Sequence, residues 1–177
     1  MQGLINLAAA VGEVFQILLP TFCYIAALSL FLVAGWGFWR QAHPDNPFRG
    51  KPWVPWAALL FCGVFASFDH FLTMANRSAG SGITVGVASL SSYSATTTVP
   101  NGLGNTPADS VLIIVKTFQA FFQAFGAMMA FLAVYALWST MAGTSRRSTG
   151  GCFVQFVFAV MLINVLTISQ WLVSFFA

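Results

Sequence analysis

Asp69 and His70 adjoin in the stretch FDHFL, setting a carboxylate directly beside an imidazole. Such a pair could pass a proton, and ionisable groups inside an apolar segment mark proton and ion pathways. Helix geometry opposes a relay: neighbouring residues point about 100° apart, so the two groups do not share a face. An interfacial or subunit-contact role is expected for them, with proton or ion transport as the competing reading. The three cysteines, Cys23, Cys62 and Cys152, fall at different depths of their apolar segments when counted at about 1.5 Å per residue. A disulfide requires Cα atoms within about 7 Å, and no CxxC or Cys/His spacing is present. Free buried thiols and no metal site are expected. The sequence lacks HExxH, a nucleophile elbow, a phosphate-binding glycine loop and a paired catalytic carboxylate motif. These features predict a chain that is not an enzyme and has no cofactor.

Amides supply a different chemistry. Lys116, Gln119 and Gln123 recur at helical spacing, and Ala127 and Ala130 continue the same stripe. Small residues let helices approach closely, and amides in an apolar helix are best satisfied by another helix. Lys116, Gln119, Gln123 and Asn164 are therefore the expected helix-packing or subunit-contact residues, with Gln155 and Gln170 as further amides needing partners. Whether the partner is the same chain or a second copy stays open. Self-association is the expectation.

Basic residues form the third group. Arg146 and Arg147 lie in TMAGTSRRSTGGC, and Arg40, Arg49 and Lys51 in RQAHPDNPFRGKP. Of 177 residues, 58% are hydrophobic, 16% aromatic and only 6% charged. Soluble domains carry about 25% charged residues, so this composition predicts a membrane protein. The net charge of +3 rests on seven Lys and Arg residues, too few for a DNA-binding face. No direct sequence-specific nucleic acid binding is expected.

The elements that would position these residues form a single integral membrane domain, residues 1–177, of all-α class. Four transmembrane helices are predicted at about 14–39, 53–75, 109–139 and 152–176, each meeting the roughly 20 residues a bilayer requires. Helix three is long enough to tilt or project. Five of the seven basic residues lie in the two hairpin turns, which predicts cytoplasmic turns and an N-out/C-out topology. The Ser/Thr/Gly-rich loop 76–108 is then external, with a helix cap at Asp109. The opening MQGLINLAAAVGEVF has no basic n-region; it is expected to be retained as a short interfacial helix, with Glu13 at the outer boundary. Trp36, Trp39, Trp53, Trp56 and Trp138 flank the turns as interfacial anchors.

Both halves read as apolar helix, Trp, basic turn, apolar helix, with GWGFWR ending helix one and VYALWS ending helix three. This plan could reflect duplication or simply two inserted hairpins. The stretch FGAMMAFLAVYALWSTMAGTSRRSTGGCFVQFVFAVMLINVLTISQWL resembles the TraQ protein of I-type conjugative plasmids and its relatives IcmC/DotE of type IVB secretion systems. The similarity is most evident over residues 117–172, and the first hairpin matches mainly in architecture. The resemblance implies a component of the bacterial inner membrane in an apparatus that moves DNA or protein between cells, with other conjugation or secretion proteins as partners. Conjugative pilins are single hairpins that polymerise into a tube with phospholipid, their basic turn facing the lumen; this chain looks like two such hairpins. In a helical homopolymer, an extracellular pilus, Arg40, Arg49, Lys51, Arg146 and Arg147 would face the lumen and hold anionic phospholipid headgroups. Topology alone accounts for the same charges. A pilin-like subunit is thus the leading expectation, a fixed inner-membrane component the alternative, and a small transporter or channel the third. A reporter fused after residue 45 or 148 should read as cytoplasmic and one near residue 95 as external; external signal from either turn overturns this topology.

Overall fold

A computed structural model describes residues 2–43, 51–81 and 107–176. Every regular element among them is an α-helix: α1 Gln2–Gln41, α2 Val54–Ala66, α3 Phe68–Ser78, α4 Pro107–Thr117, α5 Gln119–Ala142, α6 Thr149–Ile163 and α7 Val165–Phe176. Arg49 and most of the expected external loop, residues 82–106, lie outside the described residues.

The N-terminal segment is not a separate interfacial helix. It runs unbroken into α1, whose 40 residues give a length of about 60 Å. Pro20 lies inside this helix without ending it. Beside it the Thr21 hydroxyl donates to the Ile17 carbonyl at 2.9 Å, a local bond that holds the turn where proline supplies no N–H. Glu13 is exposed on the same helix. Helix α4 starts at Pro107, so Asp109 is its third residue and not its cap. Proline suits a first helical position because the N–H it lacks has no intrahelical acceptor there.

Each of the three other expected spans is broken. Helices α1 and α5 are long and apolar enough to cross a membrane; α2 with α3, and α6 with α7, pass the same test only as pairs bent by 82° and 77°. The breaks fall on single residues: Ser67 (φ −116°, ψ 37°), Phe118 (φ −94°, ψ 6°) and Asn164 (φ −96°, ψ 20°). At each one, the residue's N–H still bonds four residues back and its C=O accepts from four residues ahead. One helix thus ends and the next begins on the same residue, with little backbone bonding lost. None of the three is Pro or Gly, so sequence punctuation does not announce them. Composition explains the first bend: α2 is almost wholly apolar, whereas α3 buries Phe68, Leu72 and Asn76 on one side and exposes His70 and Arg77 on the other. At the last bend, the Asn164 side chain donates to the Val160 carbonyl at 2.8 Å, one of the recognised causes of a bent helix.

Helices α1 and α2 pack as one hairpin and α5 and α6 as another, with α5 also against α1 and α2. Phe131 of α5 is the centre of the joint between them. Its ring meets Phe22 of α1 at 6.3 Å, Phe65 of α2 at 5.3 Å and Phe68 of α3 at 6.1 Å between centroids. Small residues bring the backbones together around it, with Ala58, Ala127, Ala130 and Ala159 fully or almost fully buried. At Gly126 the approach is close enough that an added Cβ would sit 2.8 Å from Ile163 Cγ1 and 2.9 Å from the Ala159 carbonyl oxygen.

Gly126→Ala should therefore lower stability by about 1–3 kcal/mol, read as a fall in unfolding temperature of the purified protein in detergent. Gly35→Ala and Gly63→Ala, whose added Cβ atoms meet nothing within 4 Å, should be neutral or stabilising by up to about 1 kcal/mol.

Candidate functional site

Lys51 of the first hairpin and the turn of the second meet at one end of the bundle, and the order there comes from helix termini. Helix α5 stops at Gly143, which takes the left-handed conformation at φ 81° that costs side-chain-bearing residues energy. Thr144 and Ser145 N–H groups fold back onto the Ser139 carbonyl at 2.9 and 3.1 Å. The position of a Gly143 Cβ would lie 2.9 Å from Lys51 Nζ. Lys51, from the other hairpin, thus places its ammonium over the C-terminal end of α5, where unpaired carbonyls and the helix dipole favour a cation.

Helix α6 opens on the opposite polarity. Ser148 is its N-cap, its Oγ accepting from the Gly151 N–H at 3.1 Å. Arg147 stands just before this cap and donates to Gln155 Oε1 at 3.4 Å, while Arg146 is exposed. Arg147, Ser148, Gly151, Cys152 and Gln155 line an open cleft. A guanidinium beside the free N–H groups of a helix start favours an anion the size of a phosphate.

The four described basic residues of the turns, Arg40, Lys51, Arg146 and Arg147, have different local settings. Lys51 joins the Gly143 turn, whereas Arg40 is drawn back over the indoles of Trp36 and Trp39, at 5.4 and 5.7 Å from the ring centroids. Trp36, Trp39, Trp53 and Trp56 are exposed around this end, as interfacial aromatics would be. Trp138 departs from that expectation: it is buried against Phe61 at 5.8 Å.

The expected amide stripe is divided by the break at Phe118. Lys116 is exposed on α4, while Gln119 opens α5 and Gln123, Ala127 and Ala130 form its buried face. Asn164 finds its partner within the chain, donating to Asn76 Oδ1 at 3.0 Å. Gln155 is paired with Arg147, and Gln170 is exposed on the single chain. Asp69 is half-buried and His70 exposed on α3, beyond the 82° bend and not inside a continuous span. All three cysteines are free, as their spacing predicts. Among the described residues no group of His, Cys, Asp or Glu could hold a metal ion.

Four residues that matter here escaped the sequence reading. Asn76 falls within the expected external loop, and Gly126 carries only its small-residue spacing to Ala130. Gly143 and Ser148 did carry signals, a glycine after an apolar run and a serine before the next. No protein-family model, curated protein or solved structure matches this chain.

Gly143→Ala should cost about 1–2 kcal/mol through the left-handed backbone, and Ser148→Ala about 0.5–2 kcal/mol through the lost cap. Thermal unfolding in detergent reads both. Gly143→Asn should cost less than Gly143→Ala, because asparagine tolerates this conformation better.

Proposed function

We propose that this chain is a non-enzymatic structural subunit of a bacterial conjugation or type IVB secretion apparatus, held in the inner membrane as two hairpins with cytoplasmic turns and both termini outside. In this reading each bent pair counts as one span. The observation that carries it is the distribution of surface chemistry. Large apolar side chains project from the flanks of the bundle, Ile17 at 73%, Leu60 at 64% and Phe158 at 60% exposure, while five of the seven Lys and Arg residues and five of the six Trp residues lie in or beside the hairpin turns in sequence. A soluble monomer rarely exposes so much contiguous apolar surface; a lipid-facing protein that also contacts copies of itself requires it.

The fixed membrane component is favoured over the pilin-like form. Phe131 and the Asn76–Asn164 bond interlock the two hairpins into one body. The pilin-like form keeps one specific support. Arg147 at the start of α6 and Lys51 at the end of α5 suit an anionic phospholipid headgroup, in a bilayer or in a lipid-bearing filament, with about 1 kcal/mol per basic side chain. A transporter would draw on the matching bends after α2 and α6, since broken helices in equivalent halves commonly frame substrate sites; Asp69 and His70 follow the first bend at once, whereas Asn164 at the second is bonded to Asn76.

Cell fractionation with lipid analysis tests this. The protein should remain in inner-membrane fractions, cross-link to copies of itself through cysteines placed at Leu60 or Phe158, and retain anionic phospholipid on purification. Arg146→Gln with Arg147→Gln should insert normally and retain less of that lipid. Recovery in sheared extracellular filaments would move the assignment to the pilin-like form, and a strictly monomeric protein would overturn both.

A further inference from the structure

Three amide side chains are buried around the contact of the two hairpins: Asn76 in the last turn of α3, which meets Asn164 at the pivot between α6 and α7, and Gln123 in α5, with exposures of 0, 5 and 1%. Gly126 presses against Ile163 and the Ala159 carbonyl. Gln123 lies one turn from Gly126 on the same flank of α5, and antiparallel packing brings that turn level with the pivot that follows Ile163.

The hydrogen bonds fix which way the asparagines face. Asn164 Nδ2 lies 2.8 Å from the Val160 carbonyl, which can only accept, so the nitrogen must be on that side. The same nitrogen donates to Asn76 Oδ1 at 3.0 Å, which in turn sets Asn76 with its oxygen toward Asn164 and its nitrogen away. Three buried atoms then have no hydrogen-bond partner: Asn76 Nδ2, Asn164 Oδ1 and Gln123 Oε1. One is a donor and two are acceptors.

We propose that this joint binds one ordered water molecule, which accepts from Asn76 Nδ2 and donates to Asn164 Oδ1 and Gln123 Oε1. Water alone among simple ligands offers that complement, and buried waters typically make about three such bonds to otherwise unsatisfied groups. A bare cation would suit the two oxygens and be repelled by the amide hydrogens of Asn76; an anion would meet two oxygens. The water ties α3 of the first hairpin to α5 and the α6–α7 pivot of the second, so the contact between hairpins is partly a hydrated one. This inference is independent of the secretion reading.

The test uses the full chain in lipid nanodiscs with nitrogen-15 in asparagine, glutamine and leucine, and proton-detected solid-state NMR of magnetisation transfer from water. The side-chain NH₂ of Asn76, assigned by its loss in Asn76→Ala, should receive water magnetisation much faster than the backbone amide of Leu72 one turn away. In Gln123→Met, which removes one acceptor at similar volume, that transfer should fall. Equal rates at Asn76 and Leu72 in the wild-type protein overturn the proposal without recourse to any variant. Unfolding temperatures in sodium chloride and choline chloride at equal ionic strength should agree; a rise specific to sodium would overturn the water in favour of a cation.

Discussion

The bundle depends on the close approach of α5 to α6 at Gly126, where the absence of a side chain lets one backbone come against Ala159 and Ile163 of the other. A helix pair in an apolar medium gains no hydrophobic driving force from association and relies on such packing and on hydrogen bonds. That contact sets the level at which Asn164 meets α5 and α3. Asn164 caps the Val160 carbonyl with its own side chain, and α7 departs at 77° to pack beside α4. The position of four helices thus traces to one missing Cβ and one amide.

The two halves solve the same problem twice. In each, a long helix turns at a basic loop into a shorter one of 13 or 15 residues, and a single residue then directs the chain through about 80°. The means differ: the first bend follows a change from apolar to two-sided composition, and the second uses a side-chain hydrogen bond to the backbone. The plan is shared at the level of architecture, while the residues that execute it are not.

Most of the basic charge lies at the turns, and the buried amides lie elsewhere in the bundle. The turns carry full charges whose cost is limited by exposure, by the tryptophan faces beside Arg40 and, for Lys51, by the C-terminal end of α5. Among the described residues the buried polar side chains are the amides of Asn76, Gln123 and Asn164 and the Ser81 hydroxyl. An amide left half-satisfied in a buried site costs less than an ion there, and it can still fix a geometry.

The sequence by itself determined that the chain is helical, apolar and arranged as two hairpins with basic turns, because hydropathy and charge act locally and need no knowledge of neighbours. It also determined that the cysteines are free, and it marked Gln123 and Asn164 as groups needing partners. Only the tertiary structure decided where the helices break. Ser67, Phe118 and Asn164 carry no proline or glycine signal, and the bends arise because packing and polar contacts outweigh the small loss at a single-residue junction. It likewise decided that Asn164 is satisfied by Asn76, 88 residues away in sequence, that Trp138 is core and not anchor, and that Lys51 of one hairpin rests on the helix end of the other. Each is a contact between segments distant along the chain, and periodicity and composition carry no term for such pairs.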